Sequence, residues 1–165
     1  MHIRQARPEE AAIVANVLRA AATDLSQKGQ ALWGSAEVSE EAIKEQVRVG
    51  MYYVAFEEED PVGVFRLDLE DRLFWPEVLD GSSAFIHKVA VHPYKQGRNI
   101  AHALLGHACE LARQHGRRFL RLDCLGGRPK LKEVYERFGF RHHSDKKLGD
   151  RLYHRFEFEV GSADA

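Results

Sequence analysis

The chain has 165 residues, and its 24 Lys and Arg against 25 Asp and Glu give a formal net charge of −1. This balance lacks the strong basic excess by which proteins attract nucleic acid or an anionic membrane surface. Hydrophobic residues at 44% and charged residues at 30% are typical of a folded globular protein. No apolar run approaches the roughly 18 residues of a membrane span, and the N-terminus lacks the apolar segment of a signal peptide. We therefore expect no nucleic-acid partner and no membrane partner.

Length and cysteine count predict how the chain is organised. We expect one domain over residues 1–165, which is long enough to bury a core without disulfides or a structural metal. Cys109 and Cys124 are too few for a disulfide framework, which favours a reducing, cytoplasmic compartment. The sequence leaves the oligomeric state open between a monomer and a homodimer.

The first part of the chain is predicted to be a short strand followed by two helices. Residues 2–6 are compatible with an opening strand. Pro8 and the two acidic residues after it indicate the start of a helix over residues 8–27, whose apolar residues recur at helical spacing. Ser39 begins a second, shorter helix, and Gly50 ends it.

The middle of the chain is predicted to be rich in strands. The apolar runs at residues 52–56 and 62–67 flank an acidic turn, which favours a β-hairpin. A strand over residues 84–91 precedes a long amphipathic helix over residues 98–115, and residues 119–124 form the next strand. Because a strand–helix–strand unit crosses over with a right hand, the two strands of this unit should be parallel or nearly so.

The C-terminal part is predicted to hold one more helix and the last strands. Pro129 fits the first position of a helix that carries Tyr135 and Phe138. Apolar and polar residues alternate over residues 152–160, as in a strand with one buried face. The predicted order is β-α-α-β-β-β-α-β-α-β-β, which indicates a mixed α/β sheet.

The most informative stretch is residues 87–101, where a strand ends and a long helix begins after a short loop. The first N–H groups of a helix and its dipole favour an anion such as phosphate. Gly97 allows a close approach of the backbone, and Asn99 tolerates a positive φ. Side-chain donors lie beside them at Lys95, Gln96 and Arg98. The stretch matches neither the Walker A pattern nor the dinucleotide-binding glycine pattern.

Two motifs carry a resemblance to a known family. The first motif spans residues 91–101, where residues 91–93 read Val-His-Pro and residues 96–101 read Gln-Gly-Arg-Asn-Ile-Ala. The second spans residues 135–140, which read Tyr-Glu-Arg-Phe-Gly-Phe. They resemble the GNAT superfamily of N-acetyltransferases, whose signature is Val-x-Pro, then Arg/Gln-x-x-Gly-x-Gly/Ala, and later Tyr-Glu-Lys/Arg-x-Gly-Phe. The order of elements is similar too, so the resemblance covers nearly the whole chain.

The resemblance implies a fold, a co-substrate and residues that bind it. The fold would be the acyl-CoA N-acyltransferase fold, an α/β fold with a central mixed, mostly antiparallel sheet flanked by helices on both faces. Acetyl-CoA would be the co-substrate, and the amine would attack it directly. Its pantetheine arm would pair with the backbone of Val89, Ala90 and Val91, and its pyrophosphate would lie against Gln96, Gly97, Arg98, Asn99, Ile100 and Ala101.

Two positions depart from the family pattern, whereas Tyr135 matches it and has a role that the resemblance implies. Asn99 replaces a usual Gly, and Arg128 stands where the family often has Asn, although Arg can reach a phosphate instead. Tyr135 would be the general acid beside the coenzyme sulfur, because a phenol of pKa about 10 can protonate a departing thiolate. The alternative for Tyr135 is a core aromatic at helical spacing.

His87 is the candidate general base, which must accept a proton from the attacking amine. Histidine has a reference pKa near 6.5, and strand alternation would place residues 87, 89 and 91 on one face. The local sequence is similar to the base-bearing strand of arylalkylamine N-acetyltransferases, although their second His falls on Phe85 here. The alternatives are a hydrogen-bonded core histidine at this position, or Asp68, Glu70 or Asp123 as the base.

Aromatic residues in predicted connections suggest where the acceptor binds. Trp33, Phe74 and Trp75 lie outside the predicted elements, where side chains are usually polar. They could form the wall of a pocket for a small, partly apolar amine, or instead cover the ends of the sheet. The remaining histidines show no spacing typical of a metal site, so no metal is expected.

The sequence therefore predicts an enzyme that transfers an acetyl group from acetyl-CoA to the primary amine of a small molecule. Two other functions fit the same fold. One is a sensor that binds an acyl-CoA without turnover, and the other is a protein-interaction domain that binds no coenzyme.

Overall fold

The elements follow the order that the sequence predicts. The computed structural model describes residues 1–95 and 99–161. The strands and α-helices are β1 (His2–Gln5), α1 (Ala11–Gln27), α2 (Glu40–Arg48), β2 (Tyr52–Glu57), β3 (Asp60–Asp68), β4 (Ser83–Val91), α3 (Ile100–Gln114), β5 (Phe119–Leu125), α4 (Pro129–Phe138), β6 (Arg141–Leu148) and β7 (Arg151–Glu159). Short 3₁₀ helices span Pro8–Glu10 and Pro93–Lys95.

The strands form one seven-stranded sheet in the order β1-β2-β3-β4-β5-β7-β6. Strands β4 and β5 are parallel, as expected for strands joined by the crossover helix α3. The pairs β1–β2, β2–β3, β5–β7 and β6–β7 are antiparallel. The sheet is thus mixed and mostly antiparallel, with flanking helices, which confirms the predicted fold class.

The chain packs as two compact units. The first contains Met1–Arg66 and Lys88–Leu104, and the second contains Leu67–His87 and Leu105–Ala165. None of the helices in the described ranges combines the length and the apolar character needed to cross a membrane.

The first unit has a hydrophobic core built on α1. Val14, Val17, Leu18 and Ala21 are buried at the spacing of one helical face, and β2 contributes Tyr52 and Val54 to the same core. Helix α1 begins later than the sequence predicts, because residues 8–10 form a 3₁₀ turn. The Glu10 carboxylate accepts a hydrogen bond from the Arg7 N–H (2.7 Å), which closes this turn before the helix.

The second unit buries two arginines against the ring of one tryptophan. Trp75 is fully buried, with the Arg155 guanidinium 4.4 Å and the Arg121 guanidinium 4.9 Å from the centre of its ring. Arg155 is therefore buried although it lies on the face of β7 that the alternation predicts to be polar. Leu152, on the predicted apolar face of the same strand, is 41% exposed. The alternation therefore predicts the strand but does not predict which of its side chains are buried.

Candidate active site

His87, on β4, lies among three carboxylates of the second unit. Its Nε2 is 3.1 Å from Oδ2 of Asp71 and 3.7 Å from Oδ2 of Asp68, and its Nδ1 is 3.7 Å from Oδ1 of Asp123. The His87 side chain is only 10% exposed. The donor atoms of Asp71, His87 and Asp123 all lie within 4.8 Å of one another, so the imidazole and the carboxylates form one cluster.

Asp71 is held in place by the backbone of its own connection. Its Oδ1 accepts hydrogen bonds from the N–H groups of Leu73 (3.2 Å) and Phe74 (3.0 Å), and its Oδ2 faces the imidazole. Burial alone would raise the pKa of Asp71, but the contact with His87 and the two N–H groups together lower it. Asp71 is therefore an ionised carboxylate at neutral pH.

The three carboxylates that the sequence left as alternative bases lie in two different environments. Asp68 and Asp123 contact His87, each with a side chain that is 13% exposed. Glu70 is 52% exposed and forms an ion pair with Arg72 at 3.0 Å, so its carboxylate is directed elsewhere. Asp71 is the residue that the sequence prediction missed. It lies in a connection between strands, and no periodic pattern marks it.

The arrangement around His87 is suited to proton transfer. A carboxylate on one ring nitrogen stabilises the imidazolium that forms when the other nitrogen takes up a proton. Both ring nitrogens of His87 have such a carboxylate within 3.7 Å. The carboxylates on both sides thus orient the imidazole and surround it with negative charge.

Tyr135, on α4, lies in the same unit and is buried. Its ring packs edge-on against Phe140 with the ring centres 6.0 Å apart. Burial raises the pKa of Tyr135, and nearby Cys124 and Asp123 raise it further. The phenol therefore keeps its proton at neutral pH, as a proton donor must.

The two aromatic residues of the connection before β4 have different roles. The Phe74 ring is half-buried, 6.4 Å from the His87 ring and 4.9 Å from the Tyr153 ring. The sequence predicts Trp75 beside it in the wall of a substrate pocket. Its side chain is instead fully buried, with two guanidiniums against its ring, so no part of it is exposed to a ligand. The prediction for Trp75 is therefore wrong, and the aromatic neighbour of Phe74 is Tyr153, which the sequence did not indicate.

Trp33, in the first unit, is half-buried against the core of that unit. The Lys88 ammonium lies 5.5 Å from the centre of its ring and forms an ion pair with Glu37 at 2.5 Å. One side of the Trp33 ring is thus occupied by a residue of β4.

Strand β4 is not regularly pleated at Lys88. This residue has a φ of +54°, in the left-handed region that L side chains rarely adopt. Strict alternation is therefore interrupted at Lys88, so it no longer supports the prediction that residue 87 shares a face with residues 89 and 91. Of the residues expected to pair with a coenzyme, Ala90 is buried and Val89 and Val91 are half-buried.

The predicted anion site lies partly outside the described residues. Gln96, Gly97 and Arg98 belong to that undescribed stretch. Asn99 has a φ of +59°, the conformation that its residue type tolerates, and its carbonyl accepts the Ala103 N–H at 3.1 Å at the start of α3.

Helix α3 begins close to β3. A Cβ placed on Gly63 would lie 3.1 Å from Ile100 Cγ2 and 3.0 Å from Leu104 Cδ1, so only Gly allows this approach. Ile100 is buried by this packing, and Ala101, next to it, is half-buried. The first N–H groups of α3 have no acceptor within the helix, which is the feature that suits a phosphate.

Arg128 precedes α4 in the second unit. Its guanidinium donates to the carbonyl of Gly127 at 3.1 Å, and its own carbonyl accepts the Lys132 N–H at 3.0 Å. The residue is thus placed at the N-terminus of α4, which begins at Pro129.

Comparisons with known proteins identify the family and the fold. The profile of the acetyltransferase (GNAT) family matches residues 18–140. The chain is similar in structure to an N-acetyltransferase from Staphylococcus aureus, with 19% identity, 96% of this chain and 100% of that chain covered, and a TM-score of 0.69. No curated protein sequence matches the chain.

Two further solved structures were determined with a coenzyme. YncA of Salmonella typhimurium, solved with its cofactor acetyl-CoA, has 16% identity and a TM-score of 0.75, with 100% of this chain and 96% of that chain covered. PaiA N-acetyltransferase of Thermoplasma acidophilum, in complex with coenzyme A, has 15% identity and a TM-score of 0.73, with 95% and 98% covered. At these identities the likeness shows a shared fold.

Proposed function

The chain belongs to the acetyltransferase (GNAT) family, and on this premise we propose that it transfers the acetyl group of acetyl-CoA to the primary amine of a small molecule. Structures with the same fold hold acetyl-CoA in YncA and coenzyme A in PaiA. The observation that carries the proposal is the nearly buried His87, which has a carboxylate within 3.7 Å of each ring nitrogen.

His87 acts as the general base in this proposal. An alkylamine is mostly protonated at neutral pH, so a proton must leave it before its nitrogen attacks the thioester carbonyl. His87 accepts that proton, directly or through water, and Asp71 and Asp123 stabilise the resulting imidazolium. The amine nitrogen adds to the thioester carbonyl, which forms the C–N bond, and the tetrahedral intermediate then expels the coenzyme thiolate as the C–S bond breaks. The acetyl group thus moves without a covalent enzyme intermediate.

Tyr135 acts as the general acid that returns a proton to the coenzyme thiolate. Its burial and raised pKa keep the phenol protonated until the thiolate forms. Cys124, near Tyr135, is not proposed as a nucleophile, because burial raises the pKa of its thiol to about 12.

Coenzyme binding is assigned to residues that the family resemblance indicates. Val89, Ala90 and Val91 would pair through their backbone with the pantetheine arm. The segment 96–101 would hold the pyrophosphate. The start of α3 after Asn99 supports the second assignment, because the first N–H groups of a helix have no acceptor within the helix itself. Arg128 would add a positive charge for a phosphate.

The acceptor is proposed to be a small amine with an apolar part. The Phe74 ring, 6.4 Å from the His87 ring, would contact that apolar part, with Tyr153 beside it. Trp33 stays a proposed contact of the substrate in the first unit. An amine of this kind would present its ammonium group to His87 and its carboxylates.

Thiol release in the presence of acetyl-CoA and a panel of primary amines tests this function. We expect turnover by the wild type and at least a tenfold lower kcat for His87→Ala, with an unchanged midpoint of thermal unfolding. His115→Ala, an exposed histidine at the end of the α3 region, is the matched control and should keep full activity. Full turnover by His87→Ala would overturn the assignment of the base.

Thermal unfolding with and without acetyl-CoA separates the proposal from its alternatives. At about 100 times the dissociation constant, a ligand stabilises the folded state by roughly 2.7 kcal/mol, which raises the midpoint by about 5–10 °C. A rise without turnover on any amine would favour the acyl-CoA sensor. No rise at millimolar coenzyme would favour the protein-interaction domain.

The domain organisation, the location and the oligomeric state of the protein are also part of the proposal. The family profile spans residues of both compact units, which supports one N-acetyltransferase domain over residues 1–165. Cys109 and Cys124 are both free and buried, which supports a reducing, cytoplasmic location. A monomer and a homodimer are both compatible with the proposal.

A further inference from the structure

A second group of chemically active side chains lies on β6 and β7, where the proposed function gives it no role. It consists of His142, Asp145 and His154. Oδ1 of Asp145 is 2.7 Å from Nε2 of His142 and 2.7 Å from Nδ1 of His154. One donor atom from each residue thus lies within 4.8 Å of the other two.

The register of the two strands brings these side chains to one face. Asp145 pairs directly with His154 across the antiparallel ladder. The register then shifts between His142 and Ser144, so that β6 has an extra residue at this point and His142 pairs with Phe156. Because Phe156 and His154 share a face of β7, the bulge places His142 beside Asp145, where regular pleating would place His143.

The three side chains form a donor set that a transition metal prefers. Two imidazole nitrogens and one carboxylate oxygen are the usual ligands of Zn²⁺ sites that keep a position open for water. The side chains of His142 and Asp145 are each 48% exposed, and that of His154 is 27% exposed, so an ion has access from solvent.

We propose that His142, Asp145 and His154 bind a divalent transition metal ion of the Zn²⁺ type. The ion would replace the direct contacts between the two imidazoles and Asp145, and water would complete its coordination. Strand β6 stands at the end of the strand order, with β7 as its neighbour. A bound ion would therefore join the edge strand to the sheet, which gives the site a structural role that is separate from acetyl transfer.

Metal titration of chelator-treated, full-length protein tests the proposal. Calorimetry with ZnCl₂ should give one bound ion per chain, and Co²⁺ should produce the visible absorption of a site with nitrogen ligands. Zn²⁺ at about 100 times its dissociation constant should raise the thermal midpoint by about 5–10 °C. The absence of one-to-one binding in the wild type would overturn the proposal.

Variants identify the ligands. His142→Ala, Asp145→Asn and His154→Ala should each weaken Zn²⁺ binding at least tenfold, as expected when one of three ligands is lost. His142 and Asp145 are half-exposed, so the first two variants should fold even where His154→Ala does not. His115→Ala is the control and should bind Zn²⁺ like the wild type. Equal binding by the wild type, His142→Ala and Asp145→Asn would show that the ion binds elsewhere and overturn the proposal.

Discussion

Nε2 of His87 lies 3.1 Å from Oδ2 of Asp71, and both side chains are at least nine-tenths buried. His87 belongs to a strand, whereas Asp71 belongs to an irregular connection whose N–H groups fix its carboxylate. The contact therefore couples the conformation of this connection to the orientation and charge of the imidazole. It makes Asp71 a positioning residue for the proposed base.

Replacing Asp71 by Asn tests this coupling. The amide keeps an oxygen for the N–H groups of Leu73 and Phe74 but removes the negative charge that stabilises the His87 imidazolium. We expect kcat to fall by about 10- to 100-fold with little change in KM, since the lost interaction acts on proton transfer. Steady-state kinetics over a range of pH would measure both parameters.

Glu70→Gln is the matched control for this variant. Glu70 is the adjacent acidic residue, but it is exposed and paired with Arg72. Its neutral variant should retain the kcat and the pH profile of the wild type. A large loss of kcat in Glu70→Gln, together with normal kinetics in Asp71→Asn, would move the base to Glu70.

Replacing Tyr135 by Phe separates its proposed chemistry from its packing. The ring contact with Phe140 is kept, and only the hydroxyl is lost. We expect kcat to fall at least tenfold at an unchanged thermal midpoint. Tyr52→Phe, at a buried tyrosine in the core of the first unit, should leave kcat unchanged. Wild-type turnover by Tyr135→Phe would leave Tyr135 with a packing role alone.

Substitutions of Asn99 test the backbone conformation before α3. Its φ of +59° is tolerated by Asn and Gly but costs about 1 kcal/mol for Ala. Asn99→Ala should therefore lower the free energy of unfolding by about 1 kcal/mol, and Asn99→Gly should stay within about 0.5 kcal/mol of the wild type. Urea denaturation measures both values. Equal stability of the two variants would contradict the strain argument.

Arg155 links the core of the second unit to the connection before β4. Its guanidinium donates to the Phe74 carbonyl (2.9 Å) and to Ser144 Oγ (2.8 Å), and it pairs with Glu77 at 2.6 Å. The single ammonium group of Lys cannot make these three contacts of the forked guanidinium together. Arg155→Lys should therefore lower the free energy of unfolding by about 1–3 kcal/mol.

The control for Arg155 is an arginine with a simpler environment. Arg118 is 66% exposed and pairs with Glu159 at 3.0 Å. Arg118→Lys should change the free energy of unfolding by less than about 0.5 kcal/mol, because a surface ion pair contributes little. Chemical denaturation of both variants makes the comparison, and losses of equal size would contradict the role of the Arg155 fork.

The contacts of Glu10 should make the free energy of unfolding depend on pH. Both of its oxygens accept hydrogen bonds from Arg4, at 2.7 and 2.9 Å, and these contacts lower the pKa of Glu10 from 4.5 to about 2. A carboxyl with a lowered folded-state pKa stabilises the protein fully above its unfolded-state pKa. Its contribution, about 2 kcal/mol, should therefore be present above pH 4.5 and be lost as the pH falls from 4.5 towards 2.

Glu10→Gln measures that contribution. The free energies of unfolding of wild type and variant should differ by about 2 kcal/mol at pH 7 and converge near pH 2. Glu41→Gln, at an exposed glutamate in the first turn of α2, should follow the wild type at every pH. A constant difference between Glu10→Gln and the wild type across this range would contradict the pKa assignment.

The sequence alone determined the order of the elements, the fold class and the family. These depend on local signals: the apolar spacing of α1, the Ser39 cap of α2, and the two motifs at residues 91–101 and 135–140. Each signal acts between residues that are near in the chain, so it can be read without knowing the fold. The tolerance of Asn99 for a positive φ was predictable for the same reason.

Only the tertiary structure decided which side chains meet. Asp71 and His87 come together because a connection folds back onto a strand, and Trp75 is buried because two arginines from β5 and β7 cover its ring. His142 joins His154 because a single extra residue shifts the register of β6. These contacts depend on pairing and packing between distant segments, which residue type and local spacing do not encode.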